Sequence, residues 1–137
     1  MSAMLRVKKR ILIVDDEVNV CELLSETLKI AGYETFVATS GHEGLEKAVS
    51  VKPDLILLDV MMPVLSGWQV LERMRKASEM QDIPVVMLTA KSETESVLRS
   101  REFKVLDYFF KPVDMEELIR ILPRYVGLRS QREEDTD

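Results

Sequence analysis

The chain has 137 residues, 46% of them apolar, and a formal net charge of −5. That length fits one compact domain whose core needs neither disulfides nor a structural metal. The acidic balance gives no push toward nucleic acid or an anionic membrane, and a single cysteine, Cys21, excludes an internal disulfide and a Cys/His zinc cluster.

The chain opens with a short basic stretch over residues 1–10, followed by the apolar run 11–14, far too short for a signal-peptide core or a membrane span. A soluble intracellular protein is the expectation. Residues 10–14 (RILIV) read as the first strand. Residues 18–31 carry Val20, Leu23, Leu24 and Leu28 at helical spacing, with Gly32 as a stop. Residues 33–38 (YETFVA) alternate in polarity and predict an edge strand. Ser40 with Glu43 makes a capping box for a helix reaching about residue 51. Residues 54–60 (DLILLDV) form a second continuous apolar run, and Ser66 caps a helix through Trp68, Val70, Leu71 and Met74. Residues 83–88 (IPVVML) predict another strand, residues 92–103 a more polar and loosely held helix, and residues 107–110 (DYFF) the fifth strand. Asp114 with Glu117 caps a last helix containing Leu118, Ile119 and Leu122. Pro123 is expected to bend or end that helix early, and the polar stretch after Gly127 to fray. The chain thus divides into an N-terminal extension (1–8), one domain (9–126) and a polar tail (127–137).

Strands that are almost continuously apolar suit a parallel sheet covered on both faces. Strands and helices alternating five times predict an α/β domain with right-handed crossovers.

Ligands of open α/β sheets sit outside the carboxyl ends of the strands. The first strand ends in Asp15-Asp16-Glu17, the third in Asp59, the fourth in Thr89, and the fifth runs into Lys111-Pro112. If the first and third strands are neighbours, three carboxylates meet at one rim with a hydroxyl and an ammonium nearby. Alone, such a cluster repels itself and raises one or more pKa values. Mg²⁺ would relieve it, because it prefers oxygen ligands, takes one or two carboxylates and leaves positions for phosphate. Lys111 adds a second positive charge for phosphoryl oxygens, Thr89 a hydrogen bond, and a carboxylate is a competent phosphoryl nucleophile.

Four motifs carry a family resemblance: Val14-Asp15-Asp16-Glu17; Asp59-Val60-Met61-Met62-Pro63 followed by Gly67; Leu88-Thr89-Ala90; and Asp107-Tyr108-Phe109-Phe110-Lys111-Pro112. Together, over roughly residues 9–126, they resemble the receiver domain of two-component response regulators. The resemblance implies a flavodoxin-like, doubly wound five-stranded parallel sheet in the order 2-1-3-4-5 with five helices. It implies that Asp59 is the phosphoacceptor. Asp15, Asp16, Asp59 and the Met61 carbonyl would hold Mg²⁺, with Mn²⁺ as an alternative, and Asp16 would be a direct ligand. Thr89 and Lys111 would serve the phosphoryl group, Thr89 and Tyr108 would form the switch pair, and Lys111–Pro112 would be a cis peptide. The implied donor is a sensor histidine kinase or a histidine phosphotransfer protein in the cytoplasm. The implied readout is an altered surface for a downstream protein or a homodimer formed on phosphorylation, with no direct contact to nucleic acid or membrane. Such a switch is no conventional enzyme: it labels itself from a phosphodonor and slowly loses the label, a lifetime that Met61 and Lys91 help to set.

The sequence departs from the family where Lys104-Val105-Leu106 replaces a usual Gly-Ala-Asp, which puts Lys104 at a position that favours a left-handed backbone. Ile121 stands where the winged-helix DNA-binding subgroup tends to carry an arginine. Taken singly, each site residue has a plainer reading. Acids cap helices, Thr89 suits any strand, Lys111 suits a turn before proline, and Tyr108 suits a half-buried position. His42 reads as solvated, Cys21 as an inert thiol, Trp68 as a packing anchor, and Arg73-Arg75-Lys76-Glu79 as a solvated face. Among rival functions, a flavodoxin-like carrier would need a small-residue phosphate loop where Asp15-Asp16-Glu17 stands. An aspartyl-phosphate hydrolase would need a DxD nucleophile near the first strand, and a pseudo-receiver would lack part of the site.

Overall fold

The computed structural model describes residues 8–90 and 104–135. Among the described residues five strands and four helices follow in the order β1 (Arg10–Val14), α1 (Val18–Ile30), β2 (Glu34–Ala38), α2 (Gly41–Val51), β3 (Leu55–Asp59), α3 (Gly67–Lys76), β4 (Val85–Thr89), β5 (Asp107–Phe110) and α4 (Met115–Asp135). The helix expected over residues 92–103 lies outside the described residues. All neighbouring strands are parallel, in the order β2-β1-β3-β4-β5. β2 is therefore an edge strand, as its alternation predicts.

The continuous apolar strands are explained by two cores. Successive strand residues point to opposite faces. Leu12, Val14, Ile56, Leu58, Val85 and Met87 pack with residues of α2 and α3 on one side. Ile11, Ile13, Leu55, Leu57, Val86 and Leu88 pack against Cys21, Leu24 and Leu28 of α1 and Leu118, Leu122 and Val126 of α4 on the other. A strand buried on both faces has no position left for a polar side chain until it reaches the rim.

Local signals set the helix ends. Ser66 and Gln69 form a reciprocal capping box at α3. At α2 the box is split: Ser40 accepts from the Glu43 N–H, while Glu43 accepts from the Thr39 N–H at 2.7 Å. Gly32 takes φ 103° after α1, and Lys104 takes φ 59°, the left-handed backbone its position suggested. The Lys47 ammonium reaches the Val37 carbonyl and covers a backbone acceptor on the edge strand.

Three expectations are corrected. Pro123 does not end the last helix, which continues to Asp135 across the stretch read as a polar tail. Pro123 is exposed while Leu118, Leu122 and Val126 are buried at helical spacing. Burying Leu122 and Val126 is worth about 1.5–3 kcal/mol each, enough to offset the roughly 3 kcal/mol that an interior proline costs. The residues beyond are mostly Arg, Gln and Glu, which are good helix formers. Arg75 is also more than a solvated charge: it donates to the Gln81 and Ile83 carbonyls at 2.9 and 3.0 Å and ties α3 to the turn that feeds β4.

Candidate functional site

Register brings the acids together. Val14 lies beside Leu58 and Asp59 beside Leu88, so the parallel strands present Asp15, Asp59 and Thr89 at one edge of the sheet. Asp15 is fully buried, and Asp59 and Thr89 are nearly so. Asp16 is exposed at the mouth. One carboxylate oxygen from each of Asp15, Asp16 and Asp59 lies within 4.8 Å of the others.

Lys111 enters from the end of β5, where its N–H donates to the Thr89 carbonyl at 2.8 Å and its bond to Pro112 is cis. Its ammonium lies 2.8 Å from Asp15 Oδ2, 3.1 Å from Glu17 Oε1 and 3.3 Å from Asp59 Oδ1. Burial alone would lower the pKa of this amine, but the surrounding carboxylates outweigh burial and hold it above its ordinary value. One ammonium does not neutralise the acids around it. Burial, then the charge of Asp15, pushes the Asp59 carboxyl up to about 7. Asp15 Oδ2 is buried without a well-aligned hydrogen bond despite the nearby ammonium, which reaches it as a charge rather than along a good donor direction. Three converging hard oxygen donors, one of them orphaned, fit a small divalent cation.

The loop after β3 sets the position of Asp59. The Gly67 N–H donates to the Val60 carbonyl at 2.9 Å and closes the loop. A Cβ at Gly67 would sit 2.2 Å from the Asp59 carbonyl oxygen, so only glycine lets the start of α3 lie this close to the strand end. Within the loop the Leu65 N–H donates to the Pro63 carbonyl at 2.7 Å across Val64, whose φ is 67°. That is a γ-turn of the strained, positive-φ kind, with a β-branched residue at its centre. Val64 is 91% exposed, so its side chain gains little in return. Val64→Gly is expected to stabilise the protein by about 1 kcal/mol, after the extra unfolded-chain entropy of glycine is allowed for. Chemical denaturation checks this, and an unchanged or lower midpoint would contradict it.

The remaining sequence-predicted residues fall as follows. The Thr89 hydroxyl donates to the Ala90 carbonyl at 3.3 Å. Tyr108 is half-buried, with its ring 6.5 Å from that of Trp68 and inclined at 58°. Met61 lies two residues past Asp59 and is 60% exposed. Lys91 lies outside the described residues. His42 is exposed. Cys21 is buried and donates to the Asp15 carbonyl at 3.2 Å, and burial followed by the Asp15 charge pushes its thiol up to about 11, which makes it a poor nucleophile.

Sequence reasoning gave Glu17 no role. It occupies the N-cap position of α1, yet its side chain makes no capping bond, and its N–H donates to Asp15 Oδ1 at 2.9 Å. The signal was the third acid of the run, which a helix-start reading absorbs. Asp107 and Tyr125 were also missed as a pair: the tyrosine hydroxyl donates to Asp107 Oδ2 and links β5 to α4.

A family model for the response regulator receiver domain matches residues 11–123. Sporulation initiation phosphotransferase F of Bacillus subtilis (strain 168) is 36% identical over 122 residues, covering 89% of this chain and 97% of that protein. The DNA-binding dual master transcriptional regulator RpaA of Synechocystis is 40% identical over 110 residues, which is 80% of this chain but only 46% of RpaA. The chain likewise spans 27% of the regulatory protein AtoC of Escherichia coli. Among solved structures, chemotaxis protein CheY4 of Vibrio cholerae superposes with a TM-score of 0.81 at 32% identity, covering 87% of this chain and 99% of that one. A CheY-like receiver domain from Methanospirillum hungatei gives 0.84 at 27% identity, covering 92% and 99%. With the matched stretch containing Asp15, Asp16, Asp59, Thr89 and Lys111 on the same five-stranded fold, the chain belongs to the response regulator receiver domain family of two-component signalling.

Proposed function

We propose that this domain, over residues 9–126, is a phosphorylation switch that takes a phosphoryl group onto Asp59 from the phosphohistidine of a sensor histidine kinase or a histidine phosphotransfer protein. The observation that carries the reading is the meeting of Asp15, Asp16 and Asp59 at one strand edge beside Lys111. A carboxylate oxygen of Asp59 forms the new P–O bond while the P–N bond to the donor breaks. The electron pair stays on the imidazole nitrogen, and the ring, protonated on its other nitrogen, leaves neutral. Asp15, Asp16, Asp59 and the Met61 carbonyl would hold Mg²⁺, or Mn²⁺ in its place. When bound, that ion supplies the positive charge that keeps the carboxylates ionised and balances the phosphoryl oxygens. Lys111 neutralises a further phosphoryl oxygen, and Thr89 turns its hydroxyl toward the group.

The movement of Thr89 frees space that Tyr108 fills, which alters the surface around β4, β5 and their helices. That surface meets a downstream protein or a second copy of the domain. The domain is a switch rather than a conventional enzyme, and the exposed Met61 side chain beside the site favours slow loss of the label by hindering an attacking water. The described residues contain no helix long and apolar enough to cross a membrane, and the reading places the domain in the cytoplasm with its kinase. The DNA-binding role in RpaA's name belongs to that protein. Acetyl phosphate with Mg²⁺ tests the reading. One phosphoryl gained by intact mass, absent in EDTA and in Asp59→Asn, is the expected outcome, and a mass that does not change would contradict it.

A further inference from the structure

We propose that Glu17 is a latch on Lys111: its carboxylate holds the ammonium in the resting domain and is the partner given up when a phosphoryl oxygen arrives. The inference rests on the phosphoacceptor reading above and adds to it a residue that sets the rate of that reaction. Glu17 is a positioning residue, acting through Lys111 rather than on the phosphoryl group.

A lysine ammonium has three N–H donors. In this structure three carboxylates, from Asp15, Glu17 and Asp59, lie within 3.3 Å of it. The ammonium donates to Glu17 Oε1 at 3.1 Å, whereas Asp15 Oδ2 accepts no well-aligned bond, so a phosphoryl oxygen arriving on Asp59 competes with Glu17 for that donor. The three differ sharply in what release costs. The Asp15 side chain is 0% exposed, so leaving it without the ammonium would strand a buried charge, and Asp59, 5% exposed, carries the arriving phosphoryl group itself and so stays beside the ammonium. The Glu17 side chain is 60% exposed and returns to water when released. Glu17 is also free of the task its position usually carries, because it sits at the N-cap of α1 with no side-chain capping bond. Its orientation toward Lys111 is therefore not a by-product of starting the helix. When the acyl phosphate forms on Asp59, Lys111 exchanges the Glu17 oxygen for a phosphoryl oxygen and stays beside the buried Asp15.

Removing the latch frees Lys111 in advance. Glu17→Gln is expected to take up phosphoryl about three-fold faster, the scale of an ion pair with one exposed partner, and Glu17→Ala at least as fast. Loss of general repulsion could also accelerate a dianionic donor, so the rate is measured with acetyl phosphate and with phosphoramidate, which carries less charge. A latch gives the same gain with both donors. A second readout needs no phosphoryl chemistry: acylation of the Lys111 amine in metal-free protein, followed by peptide mass against the exposed Lys29 as internal standard. Labelling of Lys111 rises in Glu17→Gln if the latch exists. An unchanged or slower uptake, a gain confined to acetyl phosphate, or unchanged Lys111 labelling would overturn the latch while leaving the phosphoacceptor reading intact. A wild-type domain that takes up phosphoryl from neither donor overturns both.

Discussion

Asp59→Asn should make the metal-free domain markedly more stable near neutral pH, although it removes the proposed reactive group. The folded protein raises the Asp59 pKa from 3.8 to about 7, through burial first and the Asp15 charge second. Between those values the folded state binds a proton that the unfolded chain has released, so the contribution of this group to stability is greatest below about pH 4 and falls as pH rises through the window. About one pH unit above 7 the loss is complete and amounts to roughly 4 kcal/mol. Asparagine carries no charge there, so the variant should melt on the order of 10 °C higher at about pH 8 and lose the wild-type slope between about pH 4 and 7. Lys111 keeps Asp15 and Glu17 as partners, so no buried ammonium is stranded. Mg²⁺ should narrow the gap by stabilising the wild-type domain more than the variant. Equal or lower melting temperatures for Asp59→Asn in EDTA, with the pH slope unchanged, would mean that the carboxylates do not strain one another.

Gly67→Ala should be strongly damaging. The added Cβ would lie 2.2 Å from the Asp59 carbonyl oxygen and 2.9 Å from the Val60 Cα, both backbone atoms that cannot rotate aside. Relief requires the start of α3 to back away by about 1 Å, which breaks the Gly67 N–H to Val60 carbonyl bond. A cost of about 3 kcal/mol is expected, together with at least a ten-fold slower phosphoryl uptake, because displacement on that scale spoils reactive alignment. Gly32→Ala is the control. Gly32 has φ 103° and nothing within 4 Å of a built Cβ, so the cost there is backbone strain alone, about 1 kcal/mol, with uptake unchanged. Denaturation midpoints and uptake rates separate the two, and a Gly67→Ala protein as stable and as reactive as wild type would refute the close-approach argument.

Much of the architecture was legible because its signals are local. Near-continuous apolar strands required two covered faces, and both cores are present. The alternation of β2 marked an edge, and Ser66 and Asp114 cap the helices they precede. The meeting of Asp15, Asp16 and Asp59 could be anticipated because a parallel sheet places every carboxyl end at one rim. What escaped depended on contacts between distant segments. Pro123 is tolerated because Leu122 and Val126 are buried against the sheet, a gain that no window around the proline reveals. Arg75 looked solvated until the turn before β4 folded back on it. Glu17 stood only as the third acid after the first strand, with no role until Lys111, 94 positions away, arrived beside it. The strain at Val64 is invisible in a residue type that ordinarily avoids positive φ.

Chemical mapping of the label bears most directly on the whole account. Borohydride reduces an acyl phosphate and leaves a permanent mark on the aspartate that carried it. After acetyl phosphate and Mg²⁺, peptide mass spectrometry should find that mark at Asp59 alone, and nowhere when EDTA is present. A mark on any other residue, or one at Asp59 that forms equally well without a divalent cation, would contradict the account.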